Sequence, residues 1–156
     1  IANLRNKLET KAFDNAKLYY TLGGYDISNY KSAVVALKNA QVEFPDIKYA
    51  EEMNLLIVKS QFMYAKNSYP HRQEDRFNEA IEYYNEFIEA YPDSKFAKEA
   101  KQLKEDSEAG IANAKRIIAE EKAMIAKYKA LEESDKAGSK TRKDTTTNNS
   151  DNKTQK

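Results

Sequence analysis

In 156 residues the chain carries 26 Lys and Arg against 25 Asp and Glu, a net charge of +1, with no Cys, no Trp and one His. That composition excludes disulfide frameworks, thiol nucleophiles and thiolate or His-cluster metal centres, and it leaves no imidazole to spare for a Ser-His-Asp arrangement. The mean hydropathy is −0.87, and the longest apolar run, Ala33 to Leu37, falls far short of the roughly 20 residues a helical bilayer span needs.

Four Gly and three Pro among abundant Ala, Glu, Lys and Tyr predict helices throughout. The sequence opens on Ile1 without a basic-then-apolar leader, so a processed form or a piece of a longer protein is expected, with any targeting signal upstream. The first predicted helix shows its stripe at Leu4, Leu8, Ala12, Ala16 and Tyr19. Gly23-Gly24 stops it, and Ser28 is placed to cap the next. Nothing visible precedes this helix to pack against it, so the stack is expected to be incomplete at its N-terminal end.

From residue 28 the chain repeats itself at an offset of 47. Tyr30 aligns with Phe77, Ala33 with Ala80, Val34 with Ile81, Leu37 with Tyr84, and Phe44 with Tyr91. The ungapped register continues through Pro45/Pro92, Asp46/Asp93, Lys48/Lys95, Tyr49/Phe96, Ala50/Ala97, Leu56/Leu103 and Ser60/Ser107. This is a duplicated unit, with copies at about 28–74 and 75–121. Each copy reads as helix, Pro-Asp break, helix: Pro45 and Pro92 end one helix, and Asp46 and Asp93 are expected to N-cap the next. Residues 67–74, broken by Pro70, read as a loop.

The spacing Ala-x3-large-x7-Pro occurs as Ala33/Leu37/Pro45 and again as Ala80/Tyr84/Pro92. It is the second-helix signature of a tetratricopeptide repeat: a small residue for close approach, a large one to fill the gap, and a Pro to turn the chain. The expected fold is therefore all-α, a tetratricopeptide-like helical-hairpin solenoid, with HEAT-type pairs as the alternative because they share the longer period. The helix predicted over 47–66 is apolar almost all round at Leu55, Leu56, Ile57 and Val58, which predicts burial on several sides. Its copy has Gln102, Lys104 and Glu105 in place of Leu55, Ile57 and Val58, and Val35 and Val42 become Glu82 and Glu89. The first unit is thus expected inside the stack and the second nearer a solvated cap.

Beyond the repeat a long C-terminal helix is predicted to about residue 133, with Ile111, Ala114, Ile117, Ile118, Met124, Ile125, Tyr128 and Leu131 at a spacing of three and four. It reads either as a cap on the stack or as an amphipathic helix for a partner; Glu120, Glu121, Glu132 and Glu133 oppose binding to an anionic membrane surface. Residues 134–156 hold one apolar side chain, Ala137, with six basic against three acidic residues, and read as a disordered polar tail. The repeat domain, 1–133, is then mildly acidic, and without a basic stripe it offers no nucleic-acid surface.

No catalytic, cofactor-binding or metal-binding residues emerge. His71 has no visible partner base or nucleophile, Asp75 and Asp106 lack metal-loop spacing, and no Gly-rich loop could cradle a phosphate. The chain is expected not to be an enzyme. The eleven Tyr are the more informative residues. Tyr19, Tyr20, Tyr25, Tyr69 and Tyr83 lie partly off the apolar stripes, and the first four with Arg72 and Arg76 are the partner-binding candidates, since Tyr and Arg dominate docking surfaces.

At these residues a resemblance enters. The runs AKLYYTLGGY (16–25), Tyr30-x2-Ala33, EFPD (43–46), KYAEEM (48–53) and EAYPDSKFAKEA (89–100) resemble the C-terminal repeats of the BamD lipoprotein family, part of the outer-membrane β-barrel assembly machinery, over roughly residues 5–110. The resemblance implies a non-catalytic scaffold on the periplasmic face of the outer membrane, held there by an upstream lipid anchor. Its partners would be the periplasmic domains of the barrel-forming subunit and unfolded outer-membrane proteins, with the segment around Tyr19, Tyr20 and Tyr25 at the interface. The family's lipid-bearing Cys is absent here, and the helix after Gly110 and the tail exceed the family pattern. The alternatives are another periplasmic repeat adaptor, of the kind that coordinates cell division with the Tol–Pal system, and a holdase chaperone; the 47-residue period counts against the former.

Overall fold

The computed structural model describes the backbone of residues 2–147 and the side chains of residues 3–137. The fold is all-α: α1 (Ala2–Leu22), α2 (Ser28–Glu43), α3 (Ala50–Lys66), α4 (Pro70–Ala90) and α5 (Ala97–Thr147), with no strand among the described residues. The chain divides into two units, Ile1–Arg116 and Ile117–Lys156. In the first unit α1 packs on α2, α2 on α3 and α3 on α4, so consecutive helices form hairpins.

α2 buries the stripe its sequence marks; of the stripe expected on α1, Ala16 is buried and Ala12 and Tyr19 half-buried, whereas Leu4 and Leu8 are exposed. Tyr30, Ala33, Val34, Leu37 and Ala40 are the buried face of α2, and Val34, Leu37 and Ala40 join Phe13, Ala16, Met53 and Ile57 in one core cluster. Leu55, Val58, Phe87 and Ala100 form a second, and Phe62, Ala65, Phe77 and Ala80 a third. α3 supplies side chains to all three clusters, which explains why it is apolar on several sides. Val35 and Val42, expected inside the stack, are instead exposed.

The junctions after α2 and α4 match bond for bond at the 47-residue offset. Phe44 N–H donates to the Ala40 carbonyl and Tyr91 N–H to the Phe87 carbonyl, both at 2.9 Å. Ile47 to Phe44 is repeated by Ser94 to Tyr91, Ala50 to Ile47 by Ala97 to Ser94, and Met53 to Tyr49 by Ala100 to Phe96. Further along, Ser60 and Ser107 are both fully buried, and each hydroxyl donates at 2.7 Å to the carbonyl four residues back, on Leu56 and Leu103. A small side chain that satisfies its own hydroxyl lets a neighbouring helix approach closely.

The helix ends differ from expectation in several places. Pro70 starts α4 instead of breaking a loop: at the first helical position its missing N–H costs nothing, and Tyr69 before it is extended (φ −62°, ψ 145°). The second repeat's leading helix therefore begins ahead of residue 75. Asp46 and Asp93 do not cap α3 and α5, because those helices begin four residues later, at Ala50 and Ala97. Asp46 accepts from Arg5 Nη2 at 3.0 Å, and Arg5 Nε also donates to the buried Glu9 at 2.8 Å, so one guanidinium ties α1 to the α2–α3 junction. Just ahead of α5, Ser94 Oγ accepts from Phe96 N–H at 3.0 Å and donates to Glu51.

Ser28 likewise does not cap α2; its N–H donates to Asp26 Oδ1 at 2.9 Å. That hydrogen bond holds the Asp26 carboxyl below the ordinary aspartate range. A lowered folded-state pKa contributes stability that is present above the unfolded value and is lost as pH falls through the folded one. Asp26→Ala is therefore expected to lower the urea midpoint at pH 7. The gap to wild type should narrow below about pH 4, the usual aspartate range, and urea melts at the two pH values measure both.

α5 extends past residue 133. The segment whose composition predicts a disordered tail is helical as far as Thr147. The remainder of that segment, 148–156, lies outside the described residues.

Candidate protein-docking surface

The six candidate partner residues separate into exposed and structural groups. Tyr25, in the α1–α2 turn, is 90% exposed, and Tyr69, in the α3–α4 turn, is 84% exposed. Consecutive helices reverse direction, so both turns fall at the same end of the hairpins. Arg72, one turn into α4, is exposed there too, its N–H donating to the Tyr69 carbonyl at 2.8 Å. Leu22 and Ile27 flank Tyr25 with partly exposed apolar surface. An aromatic ring on each turn, with a nearby guanidinium, is the composition of an interface anchor.

Tyr19 and Tyr20 are half-buried and engaged within the fold. Tyr19 lines a groove of about 630 Å³ between α1 and α2, together with Ala12, Val35 and Ala36. Tyr20 meets Tyr30 edge to face, with centroids 5.6 Å apart. It also lines a groove of about 280 Å³ bordered by α1, α3 and the start of α5, where Leu56 and Phe96 give apolar surface between Lys59 and Glu99, paired at 2.7 Å. This second groove is not apparent in the sequence, because its lining comes from three helices far apart along the chain.

Arg76 is half-buried and engaged within the fold. Its guanidinium lies 4.0 Å from the centre of the Tyr64 ring and donates to Ser68. Buried Gln61 donates to the Arg76 carbonyl at 3.1 Å and to Glu79 at 2.8 Å, and Tyr83 donates to Glu79 at 2.8 Å. Burial beside that carboxylate pushes the Tyr83 hydroxyl up, so it stays a donor. The network fixes α4 on α3.

The repeat-signature residues sit where small and large side chains are needed. Ala33 and Leu37 are fully buried, Ala80 is nearly so, and Tyr84 is half-buried with Lys104 Nζ over its ring at 5.7 Å. Pro45 and Pro92 are exposed in the two junctions. On α1 the leucines Leu4, Leu8, Leu18 and Leu22 leave a further apolar face open. Among the described residues no group of three or more His, Asp or Glu side chains could hold a metal ion, and no helix is long and apolar enough to cross a membrane. The chain matches no protein-family model, and no curated protein shows significant similarity to it.

Proposed function

We propose that the chain is a non-catalytic docking scaffold of the BamD type, acting in outer-membrane protein assembly on the periplasmic face of that membrane. It binds the periplasmic domains of the barrel-forming subunit and helps position unfolded barrel substrates. The observation that carries the scaffold reading is the edge bearing Tyr25, Tyr69 and Arg72: exposed anchors set on turns between tightly packed helices. Pre-formed surfaces of this kind bind without a large ordering cost. The assembly-machinery part is supported by the residue pattern of 16–25, 43–53 and 89–100.

The test is co-purification of the chain with purified periplasmic domains of a barrel-forming subunit. Capture at micromolar concentration is expected, weakened about tenfold or more by Tyr25→Ala combined with Tyr69→Ala, as for paired interface anchors. No capture, either by the chain alone or by the chain fused to the N-terminal repeats of a BamD protein, overturns the reading.

A further inference from the structure

In the first unit the buried face of α5 is a seam that follows heptad spacing. Its members are Leu103, Ser107, Gly110 and Ala114. Leu103 packs on the second and third core clusters, Ser107 and Ala114 are fully buried, and Gly110 lies under the Phe77 ring. α4 covers that stretch with Phe77 and sets Glu74 beside it, 2.8 Å from Lys115 Nζ. The spacing continues in the second unit as Ile117, Glu121, Met124, Tyr128 and Leu131, with Ile118 and Ile125 alongside. There Met124 is 60% exposed, Ile125 55%, Tyr128 64% and Leu131 53%.

The flank is as regular as the seam. Lys115, Lys122, Lys129 and Lys136 recur every seven residues in the sequence, and in the second unit Lys122, Lys129 and Lys136 fall on one row, next to the positions of Ile118 and Ile125. In the first unit Lys115 pairs with a carboxylate, Glu74 on α4. Lys122, Lys129 and Lys136 are exposed beside the exposed apolar positions of the second unit.

We infer that the face of α5 formed by Ile117, Met124, Ile125, Tyr128 and Leu131 is a docking site for an amphipathic helix of a partner protein with an acidic flank. The occupant has the chemistry of α4: large apolar side chains at a spacing of three and four, and carboxylates along the edge that meets the lysine row. An anionic membrane surface fits less well, because being flat it would meet Glu120 on the opposite flank and Glu121 in the seam as well as the lysine row, whereas a helix can lie along the lysine flank alone. The site does not depend on the BamD-type reading, and its test uses no component of that machinery.

The probe is a labelled three-heptad peptide with Leu at both apolar positions of each heptad and Glu at the flanking ones, titrated against the full chain by fluorescence anisotropy. A peptide differing only in Lys at the flanks is the control. The acidic peptide is expected to bind and the basic one to bind at least about tenfold more weakly, with affinity falling as salt is raised. Met124→Lys with Leu131→Lys should abolish binding, and Lys122→Glu with Lys129→Glu should reverse the preference between the peptides. All four positions are exposed, so circular dichroism should show the variants folded; if either double variant unfolds, the peptide preference and its salt dependence in the wild-type chain decide the matter. Equal binding of both peptides overturns the inference. So does binding to phosphatidylglycerol vesicles without peptide binding, or a dimer of the chain that Leu131→Lys dissolves.

Discussion

Phe87→Ala is expected to lower the unfolding free energy by about 3–5 kcal/mol, the range for emptying a buried aromatic site. The Phe87 side chain is fully buried among Leu55, Val58 and Ala100, and its ring lies 5.7 Å from that of Tyr91. Three helices, α3, α4 and α5, meet on this ring, so none can close the cavity without leaving its other contacts. A domain of this size is stable by only about 5–15 kcal/mol, and the loss would consume a large part of that. Val42→Ala is the control. Val42 is 81% exposed, and removing its methyl groups should change stability by less than about 0.5 kcal/mol. Urea unfolding of the two variants checks the contrast. A Phe87→Ala loss below about 1 kcal/mol would mean that α5 is not seated on α4 at this ring, since even small core deletions usually exceed that.

The same contrast shows what could be read in the sequence. Burial at Tyr30, Ala33, Val34, Leu37 and Ala40 was legible because helical periodicity is itself the record of a buried face. The 47-residue offset was legible because both junctions need the same residues for the same backbone bonds. Helix starts were not. A Pro is a breaker inside a helix and an initiator at its first position, and only the geometry of Tyr69 and Pro70 distinguishes the two. Asp46 has the chemistry of a cap, but Arg5 holds its carboxylate, and that partner is 41 residues away. For the candidate surface, composition marked Tyr25, Tyr69 and Arg72 as binding candidates, and they are exposed. Arg76 carried the same signal, and Tyr64 and Ser68 had already taken it. Charge and aromaticity identify groups able to bind; which of them the fold has occupied depends on packing between distant segments.

Gly110 is a case in which two local rules oppose each other. Within a helix, Gly→Ala normally gains about 1 kcal/mol, and Gly110 lies inside α5 with no positive φ to justify a glycine. A β-carbon there would nevertheless overlap three carbons of the Phe77 ring. The ring cannot turn aside cheaply, being rigid, 3% exposed and in contact with Phe62 at a centroid distance of 5.8 Å. Overpacking a filled core costs about 1–3 kcal/mol, so Gly110→Ala is expected to be neutral at best and destabilising by up to about 2 kcal/mol once the propensity gain is subtracted. The decisive measurement is a double-mutant cycle with Phe77→Leu, which shortens the side chain facing the new methyl group. In the Phe77→Leu background the same Gly110→Ala change should become stabilising, because only the propensity gain remains. The sign reversal, a coupling of about 1–3 kcal/mol between contacting residues, is the signature of steric origin. If Gly110→Ala raises stability equally in both backgrounds, the Phe77 ring does not rest on Gly110, and the seating of α5 against α4 would have to be redrawn.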